Sequence, residues 1–265
     1  MALFTDGLVS ELPDLLGYEA DLLDVAGALK VELGVKLQLA QTEVGAQLEA
    51  TSRRPGNVFL AKGAGWQSTG GETSAPRFDL NQVVVTPPLR LWHTVQTLAL
   101  FYRDAQARKV DDKYLPKWRE YKELAKWASD LLFQTGVGLT ISPVPRAQQP
   151  AIEFETSTLP AMSLYVRTTW VGQDSVEGAG SKERAVHTVA NQALKLAMGP
   201  APAAAVGWHV YMGQSQGEAF RQTDEPLMAG AEWVMPAGGV IDGPELGDGQ
   251  PAEMYRTAPK FLQRG

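Results

Sequence analysis

The chain has 265 residues, of which 44% are hydrophobic, so it can form one or two domains with modest cores. A formal net charge of −6 argues against general nucleic-acid binding, which needs a basic face. The absence of cysteine excludes disulfides, thiolate metal sites and cysteine nucleophiles. The sequence predicts no membrane span and no secretory signal, because it has no apolar run of about 18 residues and no basic flank near the N-terminus.

The first predicted helix spans residues 19–50. Apolar residues recur there at spacings of three and four, which places them on one face of a helix. Glycine costs up to about 1 kcal/mol relative to alanine in a helix interior, and we expect a break near Gly34. Residues 52–86 are rich in Gly, Ser and Thr and predict a long loop, with short strands around 58–60 and 83–85. A loop of this length is typical of a contact arm.

Two more predicted helices form an antiparallel hairpin. The first begins at Pro87 and ends near Ala107, and the second has Pro116 in its first turn and ends at Gly136. Their aromatic residues exceed what a two-helix core needs: Trp92, Tyr102, Tyr114, Trp118, Tyr121 and Trp127. We expect most of them in the core and one or two at a subunit interface, where aromatic residues are enriched.

The second half of the chain changes to a β pattern after a proline-rich linker at 139–150. Short β-rich runs alternate there with turn signals, at 151–154, 163–171, 185–189, 193–197, 207–212, 219–222 and 231–234. Seven such strands predict an immunoglobulin-like or fibronectin-like sandwich. The residues expected to face its core are Leu164, Val166, Thr168, Trp170, Trp208, Val210 and Met212.

The predicted organisation is therefore α+β and multidomain. A helical domain occupies 1–138, the linker 139–150, the sandwich 151–243 and an extended C-terminal arm 244–265. The two halves differ in charge: residues 1–150 carry 16 basic and 17 acidic residues, and residues 151–265 carry 8 and 13.

One segment matches a catalytic motif. Gly213-Gln214-Ser215-Gln216-Gly217 has the G-x-S-x-G pattern of a nucleophile elbow, which needs a following helix and a histidine later in the chain. No histidine follows Ser215, so a hairpin turn is favoured over a hydrolase site. The glycine-rich stretch 62–71 has its lysine before the glycines rather than after them, which favours a contact loop over a phosphate-binding loop.

Metal-binding patterns are weak. His93, His187 and His209 are scattered over different predicted elements, and Asp242 and Asp248 lack the spacing of a calcium loop. Basic residues near Arg53 and along the helical hairpin are interleaved with acids, which favours a solvated surface over binding to DNA. The sequence predicts no catalytic, cofactor-binding or metal site, no cofactor and no enzymatic activity.

The first half resembles the head–tail connector (adaptor) proteins of tailed bacteriophages. The resemblance lies in the order of its elements: the helix around 18–26, the long loop, and a hairpin that reads Trp92…Leu98…Phe101-Tyr102-Arg103-Asp104 and then Asp112-Lys113-Tyr114…Lys117-Trp118…Tyr121. The second half resembles the immunoglobulin-like modules appended to phage structural proteins, in the segments 165–171, 207–213 and 238–243 together with Trp233. The appended module is a departure from adaptors that are short and all-helical.

This resemblance implies a structural virion protein that is assembled in the host cytoplasm. It would form a homo-oligomeric ring, a dodecamer by analogy, at the phage neck. There it would bind the portal and the tail or neck proteins, and DNA would pass through the channel without sequence-specific binding. No membrane partner is expected. The alternative is a tail or fibre component whose sandwich binds host-surface carbohydrate through exposed Trp and Tyr.

Two polar segments with spaced hydrophobic residues are predicted to be docking arms. They are the loop at 52–86 and the C-terminal arm, and we expect both to contact adjacent subunits or the portal. Deletion of residues 250–265 is expected to weaken assembly and to leave the monomer folded.

Overall fold

The structure is a computed structural model that describes residues 1–53, 57–60, 67–68, 77–108 and 112–258. For residues 57, 59, 60, 67 and 68 the description covers the backbone alone. The fold is α+β: the long helices lie in the N-terminal half, and antiparallel sheets fill the C-terminal half. The chain forms two compact units, which we call the helical unit (Gly7–Ile141 with Ala252–Gly265) and the two-sheet unit (Met1–Asp6 with Ser142–Pro251).

The helical unit has five helices among its described residues. They are α1 (Leu12–Leu16), α2 (Leu22–Leu29), α3 (Leu33–Ser52), α4 (Pro87–Arg108) and α5 (Leu115–Thr135). The sequence did not predict α1. The expected break in the first helix lies between α2 and α3, where Lys30 adopts a left-handed conformation with φ 54° and ends α2. Gly34 itself lies in the first turn of α3.

Helix α4 contacts α3 and α5 through two different faces. Toward α3, the imidazole Nε2 of His93 lies 3.2 Å from the carbonyl oxygen of Leu37. Toward α5, the ring of Tyr102 stacks on that of Tyr121 with centroids 5.5 Å apart. Twelve residues of α4 are buried, because a helix in the middle of a layer must be apolar on more than one side. The predicted hairpin of α4 and α5 is present.

A four-stranded sheet completes the helical unit. Its strands are β1 (Asn57–Leu60), β2 (Gln67–Ser68), β3 (Val137–Leu139) and β12 (Met254–Thr257), in the order β2-β1-β12-β3. The strand from the C-terminal segment therefore lies between two strands of the N-terminal half. It pairs antiparallel with β1 on one side and with β3 on the other. The isolated bridge of Val83 to Leu139 extends the sheet at the predicted 83–85 segment.

The two-sheet unit holds the remaining strands. They are β4 (Ala151–Thr156), β5 (Met162–Gly172), β6 (Arg184–Thr188), β7 (Gln192–Ala197), β8 (Ala205–Gly213), β9 (Phe220–Arg221), β10 (Leu227–Met228) and β11 (Glu232–Val234). One sheet has the order β10-β8-β5-β6, with β9 also paired to β8, and the other has the order β11-β7-β4. All seven predicted strands are present, and β10 is additional.

The two sheets share one hydrophobic core. Leu164, Val166, Trp208, Val210 and Met212 lie in this core, as their alternation along β5 and β8 predicted. Residues from the other sheet pack against them, namely Ala193, Leu194, Leu196 and Trp233. Thr168 is buried on the same side of β5, and its hydroxyl donates to the carbonyl oxygen of Gln148 at 3.0 Å.

The compact units differ from the predicted domain boundaries of 1–138, 139–150, 151–243 and 244–265. The first six residues belong to the two-sheet unit, where the carboxylate of Asp6 accepts from the backbone N–H of Arg146 at 2.9 Å. The predicted arm is divided: residues up to Pro251 belong to the two-sheet unit, and β12 is a central strand of the helical unit. Sequence periodicity could not reveal that residues 1–6 belong to the two-sheet unit or that β12 belongs to the helical unit, because both depend on contacts between residues more than 100 positions apart.

Candidate functional site

The face of α3 opposite its buried side is exposed and mostly small or apolar. Val35 is 49% exposed, Leu39 is half-buried, and Thr42, Ala46 and Ala50 are exposed. Their spacings of four, three, four and four place them on one stripe. This stripe could accept a partner side chain, since none of these residues is large enough to block a close approach.

The exposed charges of α3 and its caps are acidic apart from Arg53 at the C-terminal cap. Glu32 at its start and Glu49 near its end are exposed, and Glu43 is half-buried and accepts from the side chain of Gln96 at 2.6 Å. The single lysine of the helix, Lys36, is buried and forms a salt bridge with Asp104. The outer surface of α3 is therefore an apolar stripe with acidic flanks.

Helix α5 also has one buried and one free side. Its buried residues are Tyr121, Ala125, Ala128 and Leu132. On the opposite side Trp127 is 54% exposed, which makes it the most exposed large hydrophobic residue described in α5. Exposed cations lie on the same helix, at Arg119, Lys122 and Lys126, and they alternate with the acids Glu120, Glu123 and Asp130.

The other aromatic residues of the predicted stripe are in the core. Trp92 is 1% exposed and meets Phe133 edge-on at 5.7 Å, and Tyr102 lies between Tyr114 and Tyr121. Trp118 is half-buried, with the ammonium of Lys122 at 5.9 Å from its ring centroid. The expectation that most of these aromatic rings pack in the core is confirmed, and Trp127 is the clear exception.

A carboxylate anchors this tyrosine cluster. Glu19 lies between α1 and α2, and its Oε1 accepts from the Nζ of Lys117 and from the hydroxyl of Tyr121, each at 2.6 Å. Burial acts to raise the pKa of Glu19, but the hydrogen bonds from Lys117 and Tyr121 outweigh it and lower the pKa. Burial, together with the nearby Glu19, raises the pKa of Tyr121. This ionised carboxylate fastens the α1–α2 segment to α5.

His93 is a second buried polar group of the helical unit. Its Nε2 must donate to the carbonyl oxygen of Leu37, so its Nδ1 accepts from the hydroxyl of Ser10 at 2.5 Å. Burial lowers the pKa of His93 to about 4, against smaller opposing effects of the Leu37 hydrogen bond and of Asp14. Ser10 and His93 are both fully buried, so this contact lies inside the helical unit.

The outer face of β5 and β8, opposite the core, carries a partly buried polar network. The Oε2 of Glu177 accepts from the hydroxyl of Thr169 at 2.9 Å and from that of Tyr211 at 2.7 Å. The guanidinium of Arg221 lies 3.8 Å from the other carboxylate oxygen. Burial, with the Glu177 hydrogen bond, raises the pKa of Tyr211. No sequence motif predicted this network, although polar and aromatic residues that alternate with core residues on both strands were a signal for burial of both faces.

His209 lies on the same face and is 3% exposed. Its Nδ1 is 2.6 Å from the hydroxyl of Thr223. Burial lowers the pKa of His209, Glu177 opposes this shift and Arg221 adds to it. His187, in contrast, is exposed on β6, with its Nδ1 3.0 Å from the hydroxyl of Ser163. The three histidines of the chain are therefore in three separate environments.

Ser215 lies in a tight turn between two strands. β8 and β9 are antiparallel partners, the backbone N–H of Glu218 donates to the carbonyl oxygen of Ser215 at 3.3 Å, and Gly217 has φ 87°. A strand rather than a helix follows, and the side chain of Ser215 is exposed. This geometry matches the hairpin turn that the sequence favoured, and it lacks the strand-turn-helix geometry of a nucleophile elbow.

Several predicted features lie partly or wholly outside the described residues. Of the glycine-rich stretch 62–71, only the backbone of β2 is described, and the C-terminal segment 259–265 is not described. Asp242 and Asp248 are exposed. Within the described ranges, no three His, Asp or Glu side chains are grouped so that they could hold a metal ion.

The helices of the described chain are too short or too polar for any of them to be a membrane-span candidate. Neither protein-family models nor curated proteins match this sequence.

Proposed function

We propose that the protein is a structural subunit of a tailed-phage neck, in which copies of the helical unit form a ring that connects the head to the tail. The two-sheet unit is proposed to be an immunoglobulin-like module carried by that ring. The order of helices, the long loop and the hairpin, which underlie the connector resemblance, support this proposal. The protein would then be located in the virion after assembly in the host cytoplasm.

One structural observation carries the proposal. The two outer helices of the helical unit, α3 and α5, contact different faces of α4, and each has a free side. Contact between the free side of α5 in one copy and that of α3 in the next is heterologous, so every copy keeps one free side and the contacts can propagate. Closure of such a series gives a ring, and twelve copies are proposed by analogy with connectors.

The chemistry of the two sides favours contact between α5 and α3 over contact between two α3 helices. The exposed charges of α3 and its caps are acidic apart from Arg53, so two α3 surfaces would repel each other, whereas α5 presents a mixed set in which Arg119, Lys122 and Lys126 alternate with acids. Trp127 can lie on the stripe of small residues around Ala46. A buried tryptophan in a protein interface commonly contributes 2 kcal/mol or more, about a 30-fold change in the dissociation constant.

The proposed partners are the portal, and tail or neck proteins. DNA would pass the ring without sequence-specific binding, since its helical unit has nearly balanced charges of 18 basic and 17 acidic residues. Of the predicted arms, 57–60, 67–68 and 254–257 lie in the sheet β2-β1-β12-β3, and 244–251 belongs to the two-sheet unit. The segments outside the described ranges, which include 259–265, remain the candidate docking arms.

The mass of the purified protein, alone and mixed with the portal, tests the function. Native mass spectrometry or analytical ultracentrifugation should detect a closed ring in at least one of the two conditions. Trp127→Ala should weaken that ring about 30-fold, while Met228→Ala is the matched control, because Met228 is 76% exposed in the two-sheet unit. A protein that stays monomeric with and without the portal contradicts the proposal.

A charge exchange tests the α5–α3 contact separately. Reversing the acids of α3, with Glu32→Lys and Glu49→Lys, should weaken assembly, and so should reversing the cations of α5, with Arg119→Glu and Lys126→Glu. The four substitutions in one chain should restore assembly, because the complementary charges are then exchanged. If the variant with all four substitutions assembles no better than either double-substitution variant, α3 and α5 of neighbouring copies are not in contact.

The carbohydrate-binding alternative has less support. It required exposed Trp and Tyr on one face of the two-sheet unit. The three tryptophans there, Trp170, Trp208 and Trp233, are buried, as is Tyr211, and Tyr165 is half-buried. Binding of a host glycan by the purified protein would nevertheless revive this alternative.

A further inference from the structure

The chain leaves and re-enters the helical unit at two neighbouring strand ends. β3 and β12 are antiparallel partners, with Leu139 opposite Met254 and Val137 opposite Arg256. Between the end of β3 and the start of β12 the chain builds nearly all of the two-sheet unit, Ser142–Pro251. In a simple hairpin, a short turn would join two strands in this register.

Hydrogen bonds continue the pairing beyond the strands to the exit and entry points. The backbone N–H of Glu253 donates to the carbonyl oxygen of Leu139 at 2.9 Å. The backbone N–H of Ile141 donates to the carboxylate Oε2 of Glu253 at 2.8 Å. Residues 141 and 252 therefore lie side by side within the helical unit, like the two ends of a hairpin turn.

The two ends of the inserted segment are also tied together. Gln250 is 1% exposed, and its Oε1 accepts from the backbone N–H of Val144 at 2.9 Å. Its Nε2 donates to the carbonyl oxygen of Ser142 at 2.9 Å. Each unit thus closes its own ends: the helical unit through Glu253 and the two-sheet unit through Gln250.

The two-sheet unit has the other properties of a unit that folds alone. It has one core shared by both of its sheets and 116 residues in the ranges Met1–Asp6 and Ser142–Pro251, which is a common domain size. Insertion of a domain is tolerated best at an exposed turn, because the surrounding pairing need not change.

We propose that the two-sheet unit is an independently folding domain inserted at the tip of the β3–β12 hairpin, and that the helical unit assembles without needing it to be folded. The second part rests on the proposed ring function, and the first part does not. The inserted domain would then be an accessory module, whose loss leaves the connector intact.

Hydrogen exchange on the full chain tests the first part. Trp208→Ala removes the largest fully buried side chain of the two-sheet core, so amide protection in β5 and β8 should fall by at least tenfold. Protection in α4 and β12 should stay within about twofold of the wild type. The mirror variant Leu98→Ala, at a fully buried position of α4, should lower protection in α4 and β12 and leave β5 and β8 unchanged.

Loss of protection in both units from either variant overturns independent folding. If Trp208→Ala precipitates, the smaller truncation Val210→Ala replaces it, and exchange of the wild-type chain at rising denaturant gives a second measurement. Independent units should then open at different denaturant concentrations, and a single common opening is the contrary result.

The oligomeric mass of the same variant tests the second part. Trp208→Ala should form the same ring as the wild type. If the ring is lost while α4 and β12 keep their protection, assembly needs the two-sheet unit and this part is overturned. If the wild type itself never assembles, the proposed function and this second part fail together, and the exchange data still decide whether the domain folds independently.

Discussion

The two units of this protein differ in charge and in the surfaces they leave free. The helical unit has 18 basic and 17 acidic residues, while the two-sheet unit has 6 and 13. Copies of the two-sheet unit would repel each other at neutral pH, whereas copies of the helical unit would not. In the proposed ring, contacts between copies are therefore expected on the helical unit, and the acidic unit suits an exposed position.

The units also differ in how their segments are joined. The helical unit needs the end of the chain for a central strand, and the two-sheet unit uses the first six residues. Each therefore depends on a terminus that lies far from it in sequence. Truncation of the chain should consequently have different effects on the two units, and this is the largest effect that the structure predicts.

Deletion of residues 250–265 should unfold the helical unit. It removes β12, whose two neighbours then lose their ladder hydrogen bonds, and it removes the buried Arg256 and Ala252. This outcome differs from the expectation from sequence that the truncated monomer stays folded. Circular dichroism at 222 nm should show loss of cooperative helix unfolding.

Deletion of residues 259–265 is the matched control for that truncation. It leaves every described contact of β12 in place, so thermal unfolding should match that of the wild type. Reduced assembly in this shorter truncation would identify 259–265 as a docking arm, while normal assembly would remove the arm from the proposal. A folded helical unit after the longer deletion would contradict the central role of β12.

Acid should destabilise the helical unit through His93. The pKa of His93 is about 4 in the folded protein and about 6.5 in an unfolded chain, so the unfolded state binds more protons between these values. Stability is therefore fully present above pH 6.5 and falls as the pH drops toward 4. The loss over this pH range corresponds to about 3 kcal/mol.

The measurement is the difference in pH dependence between the wild type and His93→Gln. Urea unfolding of α4 between pH 7 and pH 4 should show a steeper loss of stability in the wild type by about 3 kcal/mol. His187→Gln is the matched control substitution, because His187 is exposed on β6 and lies outside the helical unit. Parallel profiles for the wild type and His93→Gln would show that His93 does not titrate between pH 7 and pH 4.

Local patterns predicted most of the elements. The apolar spacing of three and four located α3, α4 and α5, proline marked the starts of α4 and α5, and alternation placed Trp208 in the core. These features depend on neighbours a few residues apart. The central position of β12, and the placement of each terminus in a unit far from it in sequence, depend on contacts across most of the chain. No local sequence period encodes such contacts.

The same limit applies to the candidate site. Trp127 was named as one of several aromatic residues, but its exposure could not be separated from the burial of Tyr121 without knowing which side of α5 meets α4. Glu19 and Glu177 were missed, because a carboxylate that accepts from tyrosine hydroxyls has no sequence pattern. Its partner can lie about 100 residues away, as Glu19 and Tyr121 show.

Those two carboxylates give the finest test of the comparison, since each accepts a hydrogen bond from the hydroxyl of a buried tyrosine. Tyr121 donates to Glu19 at 2.6 Å in the helical unit, and Tyr211 donates to Glu177 at 2.7 Å in the two-sheet unit. Replacement of either tyrosine by phenylalanine keeps the ring and removes one hydrogen bond to a charged acceptor. Each loss should cost about 1.5–3 kcal/mol.

The location of the effect is the informative part of this prediction. Hydrogen exchange should show that Tyr121→Phe lowers protection in α4 and α5 alone, and that Tyr211→Phe lowers it in β5 and β8 alone. Both substitutions remove the same hydroxyl group. If only one of them also lowered amide protection in the other unit, the stability of that other unit would depend on the substituted unit but not the reverse. If Tyr211→Phe lowered protection in α5 as well, the helical unit would depend on the two-sheet unit. The proposed ring could then no longer be assigned to the helices by themselves.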